Sequence, residues 1–126
     1  MSSLGLNSKL LPVKSIAESG SNENGEWIKF ADGTMICWGV RRINGITTSI
    51  ASGGNIPKTG TLTRFDFPVT FISPPNVSIN ANRHGAWVGY AWTASMTQTQ
   101  EYTIYTDTAV SNQYFDVTWT AIGRWK

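Results

Sequence analysis

Eight carboxylates, one histidine and one cysteine supply the acid–base and metal-binding chemistry open to this 126-residue chain. Glycoside hydrolysis needs two facing carboxyl groups, to be drawn from Glu18, Glu23, Glu26, Asp32, Asp66, Glu101, Asp107 and Asp116. Asp32 belongs to a turn signal, and Glu18 and Glu23 fall in a polar N-terminal stretch. Asp66 and Asp116 fall in alternating runs, on the side opposite the apolar residues, so a hydrolytic pair has no motif behind it. Cys37 and His84 stand 47 positions apart and cannot close a metal site within one chain. His84, between Arg83 and Gly85, reads as an exposed loop side chain; three copies could meet only on the axis of a symmetric trimer. A Ser–His–Asp set can be assembled on paper, but no nucleophile-elbow motif carries it. Gly53–Gly54 runs into Pro57 and not into a helix, so no phosphate-cradling loop is present. The expectation is a chain with no catalytic residues, no metal and no cofactor.

Binding is the chemistry that the composition favours. Trp87, Tyr90, Trp92, Tyr102, Tyr105, Tyr114, Trp119 and Trp125 are interleaved with Asn, Thr, Gln and Ser. Rigid aromatic area beside adaptable polar groups suits recognition surfaces. Sugars fit such a surface, with C–H faces on rings and hydroxyls on Asn, Asp and Arg. A share of these rings must fill the core, with Trp119, Phe115 and Tyr90 the best placed to do so. Trp87 sits on the opposite strand face from Tyr90, after the polar turn NANRHG, and reads as a surface ring.

The bulk numbers exclude other classes. Net charge is +2, and no basic run exceeds Arg41–Arg42. A nucleic-acid binder relying on counterion release needs a basic patch. No stretch approaches the roughly 20 apolar residues of a membrane span, and the N-terminus lacks the apolar core of a signal peptide. A single cysteine allows no internal disulfide, which implies folding in a reducing cytoplasm, with exit by lysis or by assembly into a larger body.

The elements that must position these rings are strands. Residues 1–25 are rich in Ser, Asn and Gly and read as an extended arm or the end of a stalk; residues 26–126 read as the folded domain. Short alternating runs replace any helical period, which predicts an all-β domain of six or seven antiparallel strands in a β-sandwich. In NGEWIKFADGTMICWG, Asp32–Gly33 predicts a two-residue hairpin turn. That register sets Trp27 opposite Trp38 and Ile28 opposite Cys37. Ile28, Phe30, Met35 and Cys37 then form a core face, and Trp27, Lys29, Thr34, Ile36 and Trp38 a mixed one. TRFDFPVTF alternates with Phe65, Phe67, Val69 and Phe71 on one side, with Pro68 signalling an edge or a bulge. Residues 42–60 read as a long glycine-rich loop.

The hairpin segment resembles the entry hairpin of small C-terminal domains in bacteriophage and prophage tail fibres. The ending WTAIGRWK is similar to the closing strand of many tail-fibre proteins. FPVTFISPPNVSIN and FDVTWTAIG resemble segments of the H-type lectin fold. The resemblance implies an H-type-lectin-like sandwich, assembled as a homotrimer at the tip of a virion tail fibre. Such a tip binds bacterial surface glycan, lipopolysaccharide or capsule, and joins other tail-fibre or baseplate proteins. In H-type lectins the sugar lies between protomers, held by Asp, Arg and His with an aromatic nearby. YTIYTDT is similar to a lectin strand and offers Tyr105 and Asp107; NRHGAW supplies Arg83, His84 and Trp87. In a trimer, the mixed face of Trp27, Lys29, Ile36 and Trp38 becomes an interface. Two other readings stay open: a trimerisation cap that touches no receptor, and an enzyme that trims polysaccharide.

Overall fold

Alternation in QYFDVTWTAIGR builds the strand on which the fold is organised. The computed structural model describes residues 15–51 and 53–126, apart from the side chain of Tyr90. Nine strands run in chain order: β1 (Ile16–Asn22), β2 (Gly25–Phe30), β3 (Thr34–Ile46), β4 (Ser49–Ile50), β5 (Pro57–Lys58), β6 (Asn76–Ala81), β7 (Ala86–Ala91), β8 (Tyr102–Thr106) and β9 (Gln113–Arg124). They form a five-stranded sheet in the order β1-β2-β3-β9-β6 and a four-stranded sheet in the order β4-β5-β8-β7. All pairings are antiparallel, and the described residues contain no helix. The all-β expectation holds. Among the described residues there are nine strands where six or seven were expected, because β1 joins the sheet and β4 and β5 are two-residue pieces.

The core lies between the sheets. Met35 and Cys37 on β3, Ile79 on β6, and Phe115, Val117, Trp119 and Ala121 on β9 face Tyr102 and Ile104 on β8. Phe115 and Trp119 are core residues, as their alternation predicts; the side chain of Tyr90 lies outside the described residues. Phe65, Phe67 and Phe71 fill the space between the sheets, with Phe67 5.5 Å from Trp119 and 5.1 Å from Phe71. TRFDFPVTF nevertheless forms no strand, only an isolated bridge at Asp66. Pro68 has no N–H to give a ladder, so the alternation of the phenylalanines survives without one. The long loop expected over 42–60 is shorter than predicted: β3 runs on to Ile46, and Ser49–Ile50 pairs with Pro57–Lys58.

The hairpin between β2 and β3 differs from expectation in a way that matters. A two-residue turn on Asp32–Gly33 requires positive φ at both positions. Only Gly33 adopts it, at +101°; Asn112 is the one non-glycine with positive φ among the described residues. The turn instead closes from Phe30 O to Gly33 N at 3.0 Å. Thr34 N donates to Asp32 Oδ1 at 2.8 Å, and Gly33 takes the bulge position.

The register therefore pairs Trp27 with Cys37, Ile28 with Ile36 and Glu26 with Trp38. A slip of one residue turns every side chain over. Trp27 and Lys29 lie on the inward side with Met35 and Cys37, while Ile36 and Trp38 point outward. The two indoles do not face each other, and the four residues expected to share an interface are divided between two faces. Trp27 Nε1 donates to Glu18 Oε2 at 3.0 Å, and Lys29 Nζ stands 3.3 Å from the same oxygen. The indole first, then Lys29, holds the Glu18 carboxyl below the usual carboxylate range. Glu18 belongs to β1, inside the stretch read as an arm. Residues 1–14 of that stretch lie outside the described residues.

Candidate functional site

The outer face of the four-stranded sheet gathers three of the five sugar-site candidates. In the ladder between β7 and β8, Trp87 pairs with Tyr105 and Val88 with Ile104. Val88 and Ile104 turn to the core, so Trp87 and Tyr105 must turn outward. Their ring centroids lie 6.0 Å apart with planes 15° from parallel. Trp87 keeps 42% of its surface exposed. Gly89 lets Tyr105 lie flat: a Cβ there would stand 2.2 Å from Tyr105 Cε1. The ladder shifts between Val88 and Tyr90, which puts this glycine at an irregularity.

Two more features flank the ring pair. Asp107 N donates to Gly85 O at 2.8 Å, extending the ladder by one row beyond Ala86 and Thr106. Asp107 and Gly85 thus share the face of Trp87 and Tyr105, about 7 Å along the strands. The carboxylate lies against Gly85, where a Cβ would be 2.6 Å from Oδ1. On the other side Tyr105 pairs with Lys58 on β5. There a groove of about 340 Å³ opens between Tyr105, Lys58, Asn55, Ile56 and the Gly53–Gly54 turn. Sequence reading placed no side chain of this loop at the site; its glycines and its length were the available signal.

Arg83 goes elsewhere. Its guanidinium donates from Nη1 to Tyr114 O at 3.0 Å and from Nη2 to Gln113 Oε1 at 3.4 Å. It stands 5.0 Å over the ring of Phe115. His84 is exposed in the loop between β6 and β7. No group of three or more His, Cys, Asp or Glu among the described residues is arranged to hold a metal ion. Asp66 accepts from Gln98 Nε2 at 2.8 Å, and Asp116 is gripped by Arg42 at 2.8 and 3.1 Å. Each carboxylate thus has its own structural partner. Among the described residues, no helix is long and apolar enough to cross a membrane.

The outer face of the five-stranded sheet carries a different surface. Ile28, Ile36 and Ile122 stand opposite one another in one cross-strand row, followed by Trp38 with Thr120 and Val40 with Thr118. Ile122 is 50% and Val40 67% exposed. Trp38 Nε1 donates to Glu26 Oε2 at 3.1 Å, which holds the indole in place.

No protein-family model matches the sequence, and no curated protein matches it either. Solved structures do share its architecture. An N-truncated R1-type pyocin tail fibre matches with a TM-score of 0.51 at 15% identity, over 95% of this chain and 94% of that one. An R2 pyocin fibre of P. aeruginosa, comprising C-terminal residues, matches with a TM-score of 0.51 at 15% identity, over 96% of this chain. An N-truncated R2-type pyocin tail fibre gives the same three values. The chain spans 29% and 42% of those two longer fibre chains. The fold of this chain is similar to the fold found in pyocin tail fibres.

Proposed function

We propose that this chain is the tip domain of a tail fibre, which attaches a phage or phage-derived particle to its host by binding surface carbohydrate without catalysis. One observation carries the reading: the solvent-facing stack of Trp87 on Tyr105, with Asp107 two rows along the same ladder. A pyranose C–H face packs on such rings, and a carboxylate beside them accepts hydrogen bonds from hydroxyls. The fold likeness to pyocin tail fibres supports the setting in a virion tail, with other fibre or baseplate proteins as partners. The segments FPVTFISPPNVSIN and FDVTWTAIG support reading the sandwich as H-type-lectin-like.

Assembly is part of the proposal. The row of Ile28, Ile36 and Ile122, with Trp38 and Val40 interleaved with Thr120 and Thr118, makes a largely apolar face of a kind that marks protein–protein contact. Three copies packed through it form a homotrimer and leave the Trp87–Tyr105 face outward. The same apolar face favours a second reading, a trimerisation cap that touches no receptor.

A panel of purified lipopolysaccharides and capsular polysaccharides separates these readings. The wild-type protein binds a subset, and the Trp87→Ala variant does not. Binding to none, with the trimer intact, identifies the cap; release of reducing ends identifies an enzyme.

A further inference from the structure

A second concave site lies on the opposite side of the sandwich, where β9 begins in the five-stranded sheet. Asn82, Arg83, Gln113, Tyr114 and Asp116 line a cleft of about 310 Å³, a volume at the lower end of small-ligand sites, roughly 300–1,000 Å³. Its walls are held in place from behind. Arg42 Nε and Nη2 grip the two oxygens of Asp116 at 2.8 and 3.1 Å, and its guanidinium lies 4.1 Å from the centre of the Tyr114 ring. Tyr114 is still 52% exposed, so the stacked Arg42 leaves much of the ring open to solvent.

Arg83 is the informative member. Its two hydrogen bonds go to neutral acceptors, a carbonyl and an amide oxygen, and the buried ring of Phe115 backs it at 5.0 Å. None of the ion pairs among the described residues includes it. Arg42 neutralises Asp116, which leaves the Arg83 charge as the net charge of the cleft. A guanidinium fixed in position with N–H groups to spare recognises carboxylate or phosphate. Gln113 is held between Arg83 and the Ser111 carbonyl, to which its Nε2 donates at 3.1 Å; its remaining N–H, the Asn82 amide and the open ring suit hydroxyls and a sugar's C–H face.

We propose that this cleft binds an acidic sugar unit, with its carboxylate or phosphate on Arg83 and its ring against Tyr114. The site goes beyond the Trp87–Tyr105 surface and shares no residue with it.

Amide-resolved NMR titration of the full chain with methyl glucuronoside, glucose 6-phosphate and methyl glucoside tests the proposal. Saturable shifts are expected at the side-chain amides of Asn82 and Gln113. The neutral glycoside should bind about tenfold more weakly, the factor carried by one charge-assisted hydrogen bond. Binding of the uronoside alone identifies uronic acids as the source of the charge, and binding of the phosphate alone identifies sugar phosphates. Arg83→Gln should weaken binding about tenfold. Because Arg83 also supports Tyr114, Gln113→Ala serves as a second variant and should weaken it too. Trp87→Ala should leave these shifts unchanged, so the cleft can fail while the ring pair still binds glycan, and the reverse. Shifts absent at both amides, equal affinity for neutral and acidic probes, or loss of the shifts in Trp87→Ala would overturn the proposal.

Discussion

Trp87 and Tyr105 lie side by side across two paired strands, their rings 6.0 Å apart and nearly parallel. Neither ring is placed by its own strand alone: Tyr105 can lie flat only because Gly89, on the neighbouring strand, has no side chain. Gly89→Ala puts a methyl group within 2.2–2.3 Å of the Tyr105 ring carbons, and the ring must lift. Glycan binding should fall by about tenfold, equivalent to about 1.4 kcal/mol, with the sheets intact. Circular dichroism paired with a polysaccharide-binding assay checks both halves. Undiminished affinity would mean that the Tyr105 ring takes no part.

Trp119 provides the matching test inside the core. Its indole crosses Gly39, where a Cβ would stand 2.9 Å from Nε1. The indole is buried and cannot lift, so Gly39→Ala should cost about 2 kcal/mol by overpacking. Urea denaturation measures this directly, and a loss below ~0.5 kcal/mol would show that the core yields there.

Assembly is tested on the opposite sheet. Ile122→Glu places a charge at the β9 end of the Ile28–Ile36–Ile122 row while leaving the chain's own core untouched. Sedimentation equilibrium at micromolar concentration should show a trimer for the wild type and a monomer for the variant. A wild-type monomer would remove the assembly from the account.

Two buried acids predict how stability varies with pH. Burial pushes the Cys37 thiol from an ordinary 9.0 up to about 12, and the Tyr102 phenol from 10.0 up to about 12. Both stay protonated in the folded chain while the unfolded chain begins to release their protons near pH 9. The unfolded state then binds fewer protons, so stability is retained below pH 9 and declines from there toward pH 12. Denaturant midpoints measured from pH 7 to 11 should show this slope, and Cys37→Ala should make it shallower from pH 9 upward. The native thiol should also resist a disulfide reagent at pH 8 until the protein unfolds.

Much of this architecture is legible in the sequence, because sandwiches are written in period two. Phe115, Val117, Trp119 and Ala121 alternate inward as their spacing predicts, and Trp87 stands on the exposed side. The hairpin register is not legible, since it turns on a single dihedral: Asp32 does not adopt the positive φ that an Asp-Gly pair favours. That one residue moves Trp27 and Lys29 to one face and Ile36 and Trp38 to the other. The strand at Ile16–Asn22 was hidden by its Ser- and Gly-rich composition, which an edge strand tolerates. Arg42 meets Asp116 across 74 residues of chain, and sequence spacing carries no sign of such a pairing. Arg83, four positions before Trp87, and Asp107, two positions after Tyr105, part company because the strand ladder extends to Gly85 and no further.

The central claim is that the Trp87–Tyr105 surface is where carbohydrate binds, and calorimetric titration of one bound host polysaccharide into wild-type and Trp87→Ala protein tests it most directly. Truncating a central aromatic anchor should cost about 2 kcal/mol, a loss of roughly 30-fold in affinity, with the assembly unchanged. Equal affinity of the two proteins for the same polysaccharide would contradict the account.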